Sequence, residues 1–237
     1  MIIIVSKQGV IMKKLLIFII VFSISVSISA NENIYKQYTT NNWRNNPAFE
    51  QIIDFDAIDY SLLNAAIFFR TNEMRLKNGV KTIKYHITLE KSATIHSNDM
   101  VSDNFFSHTN PNNISRRTPD DRGVLAGIIN PYLAENIAGS FAIQYKAGSQ
   151  IYIVDAQKGL FKYIDKENVI PNHTYLSFAV AVVELWMNSE GHRANILNKD
   201  AVELGCGTTF YRDTNFNNIA KFMAVQNFQF FEPVTSK

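Results

Sequence analysis

The sequence predicts an α+β fold built on an antiparallel sheet, and three observations lead there. Apolar residues recur at helical spacing through the first half of the chain. A very apolar helix follows at residues 174–188, and two strands joined by a polar turn close the chain. Helices first and a hairpin last place helices against an antiparallel sheet. With 237 residues, 46% of them hydrophobic and seventeen of them Phe, the chain can bury a sizeable core. Its composition is not that of a disordered protein.

Residues 12–30, "MKKLLIFIIVFSISVSISA", read as a signal peptide starting at Met12. Lys13 and Lys14 supply the positive start and residues 15–26 the apolar run. Ser27-Ile28-Ser29, or a cut after Ala30, gives small residues for cleavage. The run is short and broken by serine, so no stable membrane span is expected after cleavage. The protein is expected to be secreted, or periplasmic or held in the cell envelope. The formal charge is +2 from 23 bases and 21 acids. Residues 1–30 hold three lysines and no acid, which leaves 20 against 21, a net −1. That is no electrostatic footprint for nucleic acid. Cys206 is the one cysteine, so the fold has no internal disulfide to rest on. It reads as a small buried hydrophobe in an apolar strand.

Residues 31–57 are polar and Asn-rich ("NNWRNNP") and read as a loosely ordered lead-in. From Ser61, the positions of Leu63, Ala66, Ile67, Arg70 and Met74 predict a helix that stops at Asn78-Gly79. A second helix begins near Thr88, with Leu89, Ala93, His96 and Met100 on one face and Asn104 at its end. On that face His96 reads as a hydrogen-bonded core histidine rather than a ligand. "FFSHTNPNN" is a loop by its turn residues. "TPDDRGVLAG" is a short helix with Pro119 in its first turn. "LAENIAGSF" leads into something extended, "QIYIVDAQ" reads as a strand, and residues 158–172 read as a polar excursion. "ELGCGTTFY" and "KFMAVQNFQFF" are the closing strands.

A glycine-rich phosphate loop, G-x-S-x-G, H-E-x-x-H and paired C-x-x-C are all absent from the sequence. Any site must be assembled from distant segments. Four stretches offer polar groups among small or turn-forming neighbours. They are "FSHTNP" with His108, "AENIAG" with Glu135, "WMNSEGH" with Ser189, and "GHRANIL" with His192. Glu135 in so apolar a setting wants a partner, because an isolated buried charge is costly. Gly191 before His192 would allow a close approach or a sharp turn. Two imidazoles and an oxygen would suit Zn²⁺ or a similar cation. From spacing alone a second reading stays open, in which His108 and His192 are exposed turn residues that never meet.

"FFSHTNP", "AENIAG", "ELWMNSEGHRANIL", "ELGCG" and "AVQNF" occur in that order, after "TNEMRLKNGVKTIKY" and "LEKSATIHSNDM". Together they resemble the bacterial branch of the CAP superfamily, the SCP domain of cysteine-rich secretory proteins, antigen 5 and pathogenesis-related type 1 proteins. The resemblance covers residues 62–228 and suggests a domain over 58–232. It implies a three-layer α-β-α sandwich, a secreted protein, and a cleft formed by His108, Glu135, Ser189 and His192. It also implies His108 and His192 as metal ligands for zinc or another divalent cation. Many eukaryotic relatives carry a second glutamate three residues after the tryptophan, and here that position holds Ser189, a weak neutral ligand. Ala134 stands where the family has Gly. Between Gly139 and Leu176 the chain is longer than the family pattern by roughly 25 residues, an insertion near 140–175 expected beside the cleft, either as a lid or partner surface or as a tolerated surface loop.

Two functions follow from this reading. The first is a non-enzymatic extracellular binding module for a lipid, sterol or protein ligand, with no catalytic residue assigned. The alternative is a metal-dependent peptidase or esterase. There His108 and His192 would hold the cation, Glu135 would be the general base and Ser189 would orient water or substrate.

Overall fold

β5 (Ala201–Asp213) shows how the layers form, because its side chains alternate between two helical layers. Thr208 on one face donates to Asn64 of α1 (Tyr60–Lys77) at 2.9 Å. Thr209 on the other face donates to Asn98 of α2 (Ile87–Ser102) at 2.6 Å. Gly205 and Gly207 share that second face. A Cβ on either would collide with the α2 backbone at Glu90 and Thr94. The glycines therefore let α2 lie directly on the strand. A helix on each face of one sheet makes the α-β-α sandwich.

The computed structural model describes residues 34–237, so the signal-peptide expectation for residues 1–30 lies outside the described residues. Contacts divide the chain into Met1–Tyr38 and Thr39–Lys237. Of the first unit, residues 34–38 are described and carry one helical turn. All that follows concerns the second.

The main sheet has four strands in the order β1-β5-β6-β2. β6 (Ile219–Phe230) runs antiparallel to β5 and to β2 (Leu133–Phe141). β1 (Lys84–Tyr85) is a two-residue parallel edge, too short to leave a sequence signal. α1 and α2 form where the apolar spacing places them. Asp59 caps α1 by accepting from the Leu62 N–H at 3.0 Å. α3 (Pro119–Ala126) has Pro at its start and a capping box between Thr118 and Asp121. α4 (Tyr175–Met187) packs on α1, and its Phe178 meets Phe222 of β6 edge to face. Trp186, fully buried, donates its indole N–H to the Ile137 carbonyl of β2 at 3.1 Å. α5 (Glu190–Leu197) follows after Asn188 and Ser189. Cys206 is buried, as its apolar strand predicts, and burial raises its thiol pKa well above the usual range.

Three expectations are corrected. The lead-in is packed rather than loose from Trp43 onward: Trp43, Phe49 and Ile53 are all fully buried. Trp43 stacks on Phe69 and donates to Glu73 at 2.8 Å. Three large apolar side chains outweigh the polar residues around them. Residues 158–172 are not a featureless excursion. They contain β4 (Leu160–Tyr163), which pairs with β3 (Ile151–Asp155) as a separate ribbon. The insertion also does not border the histidines. It leaves β2 at Phe141, six residues beyond Glu135, roughly 20 Å along an extended strand. There it braces the β5–β6 turn, where Arg212 donates to the Lys158 carbonyl at 2.8 Å and Asn218 to the Ala156 carbonyl at 2.9 Å.

Candidate functional site

β2 is one of the two edge strands of the main sheet, and consecutive residues on it point to opposite faces. Glu135 pairs with Asn227 and points to the α2 side. Its side chain is 1% exposed, so its charge needs compensation. Arg122 of α3, 0% exposed, supplies it with a 2.7 Å contact to Oε2. The same guanidinium donates to the carbonyls of Arg116, Arg117 and His108, each at 3.1 Å. One buried cation thus holds the loop after α2 and the carboxylate of β2 together. The amide of Asn227, oriented to satisfy its surroundings, adds an N–H to Glu135 Oε2 at 3.0 Å.

The other oxygen, Oε1, lies 3.0 Å from His108 Nδ1. That contact makes Nδ1 the protonated nitrogen and turns Nε2 away from the carboxylate. The His108 ring is half exposed. His96 of α2 also approaches Oε1, at 3.5 Å, while its Nε2–H donates to the Ser107 carbonyl at 2.9 Å. Its Nδ1 has no hydrogen-bond partner. Burial pushes the His96 pKa down to about 4 against the pull of Glu135, so the ring is neutral. His96 is a core histidine as expected, hydrogen-bonded on one nitrogen only.

Asn136, the next residue, points to the opposite face and anchors α5. Its amide donates to the His192 carbonyl at 3.2 Å and to Gln226 at 3.1 Å. Asn195 donates back to Asn136 at 2.9 Å and to the Glu135 carbonyl at 3.3 Å. His192 is thereby fixed in the first turn of α5, half-buried, over the same strand as His108. Burial first, and the proximity of His108 second, lower the His192 pKa.

Ser189 is the N-cap of α5, and its side chain makes no capping hydrogen bond. Gly191 serves neither purpose suggested by its sequence context. It lies within α5, and a Cβ there would meet only open space.

The donor set falls short of a usual zinc site. Zn²⁺ in proteins takes at least three protein ligands. Glu135 is committed to Arg122 and His108, and among the described residues no group of three His, Cys, Asp or Glu is placed to hold a metal. His108 Nε2 and His192 remain, with water to complete any shell.

The structure joins His108 to Glu135 directly and ties the His192 backbone to Asn136, the next residue of β2, with Ser189 one helical turn before His192. It adds Arg122, His96, Asn136 and Asn195, which the motifs did not single out. The apolar setting of Glu135 signalled a missing partner. That partner sits in "TPDDRGVLAG", which by its sequence reads only as a short helix.

An α-β-α sandwich whose edge strand β2 anchors two histidine-bearing segments defines a class of protein. The model of the cysteine-rich secretory protein family (CAP) matches residues 68–228, and the chain belongs to that family. It is 32% identical over 137 residues to the uncharacterized protein YkwD of Bacillus subtilis, a match covering 58% of this chain and 38% of that one. It is 28% identical over 137 residues to the uncharacterized membrane protein YlbC of the same organism, covering 58% of this chain and 29% of that one. The chain thus spans well under half the length of these relatives. Among solved structures it resembles an extracellular protein containing an SCP domain from Bacillus anthracis, with 25% identity, a TM-score of 0.45, and 70% and 40% of the two chains covered. It also resembles a cysteine-rich secretory protein from Staphylococcus aureus, with 16% identity, a TM-score of 0.42, and 72% and 39% covered. Among the described residues no helix is long and apolar enough to cross a membrane.

Proposed function

We propose that the chain is an extracellular or cell-envelope binding module for a lipid, sterol or protein ligand, rather than a hydrolase. The observation that carries this reading is the state of Glu135. Both of its oxygens are consumed, by Arg122 at 2.7 Å and His108 at 3.0 Å, and the buried guanidinium neutralises its charge. A general base needs a lone pair open to its substrate, and this carboxylate is 1% exposed with both oxygens engaged by neighbouring side chains. Its role is to orient His108 and to hold β2, α3 and the loop after α2 together. The signal-like residues 12–30 support the location.

The hydrolase reading draws on one feature, the outward Nε2 of His108. A serine or cysteine nucleophile has no support: among the described residues neither type hydrogen-bonds to His108 or His192, so the nucleophile would have to be a metal-held water. A divalent cation held by the two imidazoles would bind weakly and would supply Lewis-acid chemistry if present.

The test takes the purified full chain. Ester and peptide substrate panels are run with and without EDTA, and an organic extract is analysed by mass spectrometry. The expected result is no chelator-sensitive turnover, with extracted ligand retained in the His108→Ala/His192→Ala double variant. Turnover abolished by His108→Ala in a folded protein would overturn the proposal.

A further inference from the structure

We propose a second site away from the histidines: the cavity beneath the C-terminal end of α2 takes a small uncharged amphipathic molecule, an acyl or aryl body with a neutral hydrogen-bonding head. The inference rests on the reading of the chain as a binding module and names where an apolar ligand would sit. The cavity measures about 420 Å³, within the ~300–1,000 Å³ range of small-molecule sites.

Its floor is apolar. Met100 and Met223, 2% and 5% exposed, belong to the core cluster between α2 and the sheet, and Phe105 packs against that cluster. Thioether side chains adapt to the shape of what they touch. Phe106, at the cavity's edge, is 60% exposed. An aromatic ring left in water beside an apolar hollow gains free energy from whatever covers it.

One wall is missing by sequence. β2 is the sheet edge, and at Gly139 it carries no side chain. A Cβ there would meet only the Tyr211 hydroxyl, at 3.3 Å. The absent side chain keeps the space beside that hydroxyl open.

The mouth is polar and charge-balanced. Lys221 Nζ lies 2.7 Å from Asp213 Oδ2, and the other Asp213 oxygen accepts from the Asn215 N–H at 3.1 Å. Cation and anion cancel, so nothing draws an ionised head. Burial, with the Asp213 charge adding to it, raises the Tyr211 pKa and keeps the phenol protonated as a donor. The Lys221 ammonium has further N–H groups. A carbonyl or hydroxyl oxygen at the end of an apolar body meets both demands.

The experiment titrates the full chain with N-phenyl-1-naphthylamine, an uncharged aryl amine that brightens in apolar sites. Bound probe is then displaced with monodecanoylglycerol, decanoate or decylamine at equal concentrations. The expected result is saturable one-to-one binding, displaced by monodecanoylglycerol ahead of the two ionised chains. Gly139→Leu fills the hollow and is expected to weaken binding by about tenfold or more with an unchanged circular dichroism spectrum. If the leucine variant fails to fold, Gly139→Ala gives a smaller loss in the same direction. Absence of saturable binding, equal affinity in the folded glycine variants, or displacement led by decanoate or decylamine would each overturn the proposal. Ester or peptide turnover would instead sink the binding-module reading, leaving the fluorescence result to be judged on its own.

Discussion

Glu135 and Asn136 are neighbours on one strand, and they hold the two cleft histidines by different physics. Glu135 fixes His108 through charge, in a buried network with Arg122 and beside His96. Asn136 fixes His192 through neutral amides, by way of its carbonyl and Asn195. The charged side can orient an imidazole strongly, but it fails if either partner is lost, because a bare buried ion remains. The amide side is weaker per contact and tolerates loss.

The comparison breaks first at Arg122. Removing one member of a buried pair costs about 3–5 kcal/mol, so Arg122→Ala is expected to lower stability by that order in a urea melt. A loss under about 1 kcal/mol would show that the pair is hydrated and the contrast false. Acid comes next. The folded His96 pKa is lowered from 6.5 to about 4, so the unfolded chain binds more protons in that window. The resulting stability is present in full above about pH 6.5 and is lost as pH falls toward 4, at roughly 3 kcal/mol for such a shift. His173, which burial also lowers to about 4, adds to the same loss. Melts at pH 7 and pH 4 measure the sum, and His96→Gln is expected to flatten the slope.

The amide face should give less. Asn195→Ala removes the bonds to Asn136 and to the Glu135 carbonyl, and about 1–2 kcal/mol is expected. A cost equal to that of Arg122→Ala would erase the distinction between the faces. The smallest effect is expected at His108→Ala. Its ring is half exposed, so the loss stays under about 1 kcal/mol while the cleft loses its outward nitrogen.

Much of this was legible in the chain. α1, α2 and α4 follow their apolar spacing, and β5 and β6 show as apolar runs because both of their faces are covered. His108, Glu135 and His192 were recognisable from quoted motifs. Arg122 was not: "TPDDRGVLAG" shows three charges in a row, and nothing local says that the third turns inward to a carboxylate 13 residues on. β4 was hidden for the converse reason. Phe161 is buried against neighbours brought by tertiary contact, within a stretch whose average is polar. Trp43 and Phe49 are masked in the same way, two aromatic rings among asparagines that set the average of the stretch.

The glycines of β5 reach further than their own strand. α2 rests where it does because Gly205 and Gly207 leave it room, and α2 carries His96 and leads into the loop that carries His108. A methyl group at either glycine would lift the helix like a shim under a lever, displacing its far end and the imidazole beyond it. The reach of His108 is thus gauged by residues about a hundred positions later that touch neither histidine. A survey of cleft residues alone would pass over the two positions that calibrate it.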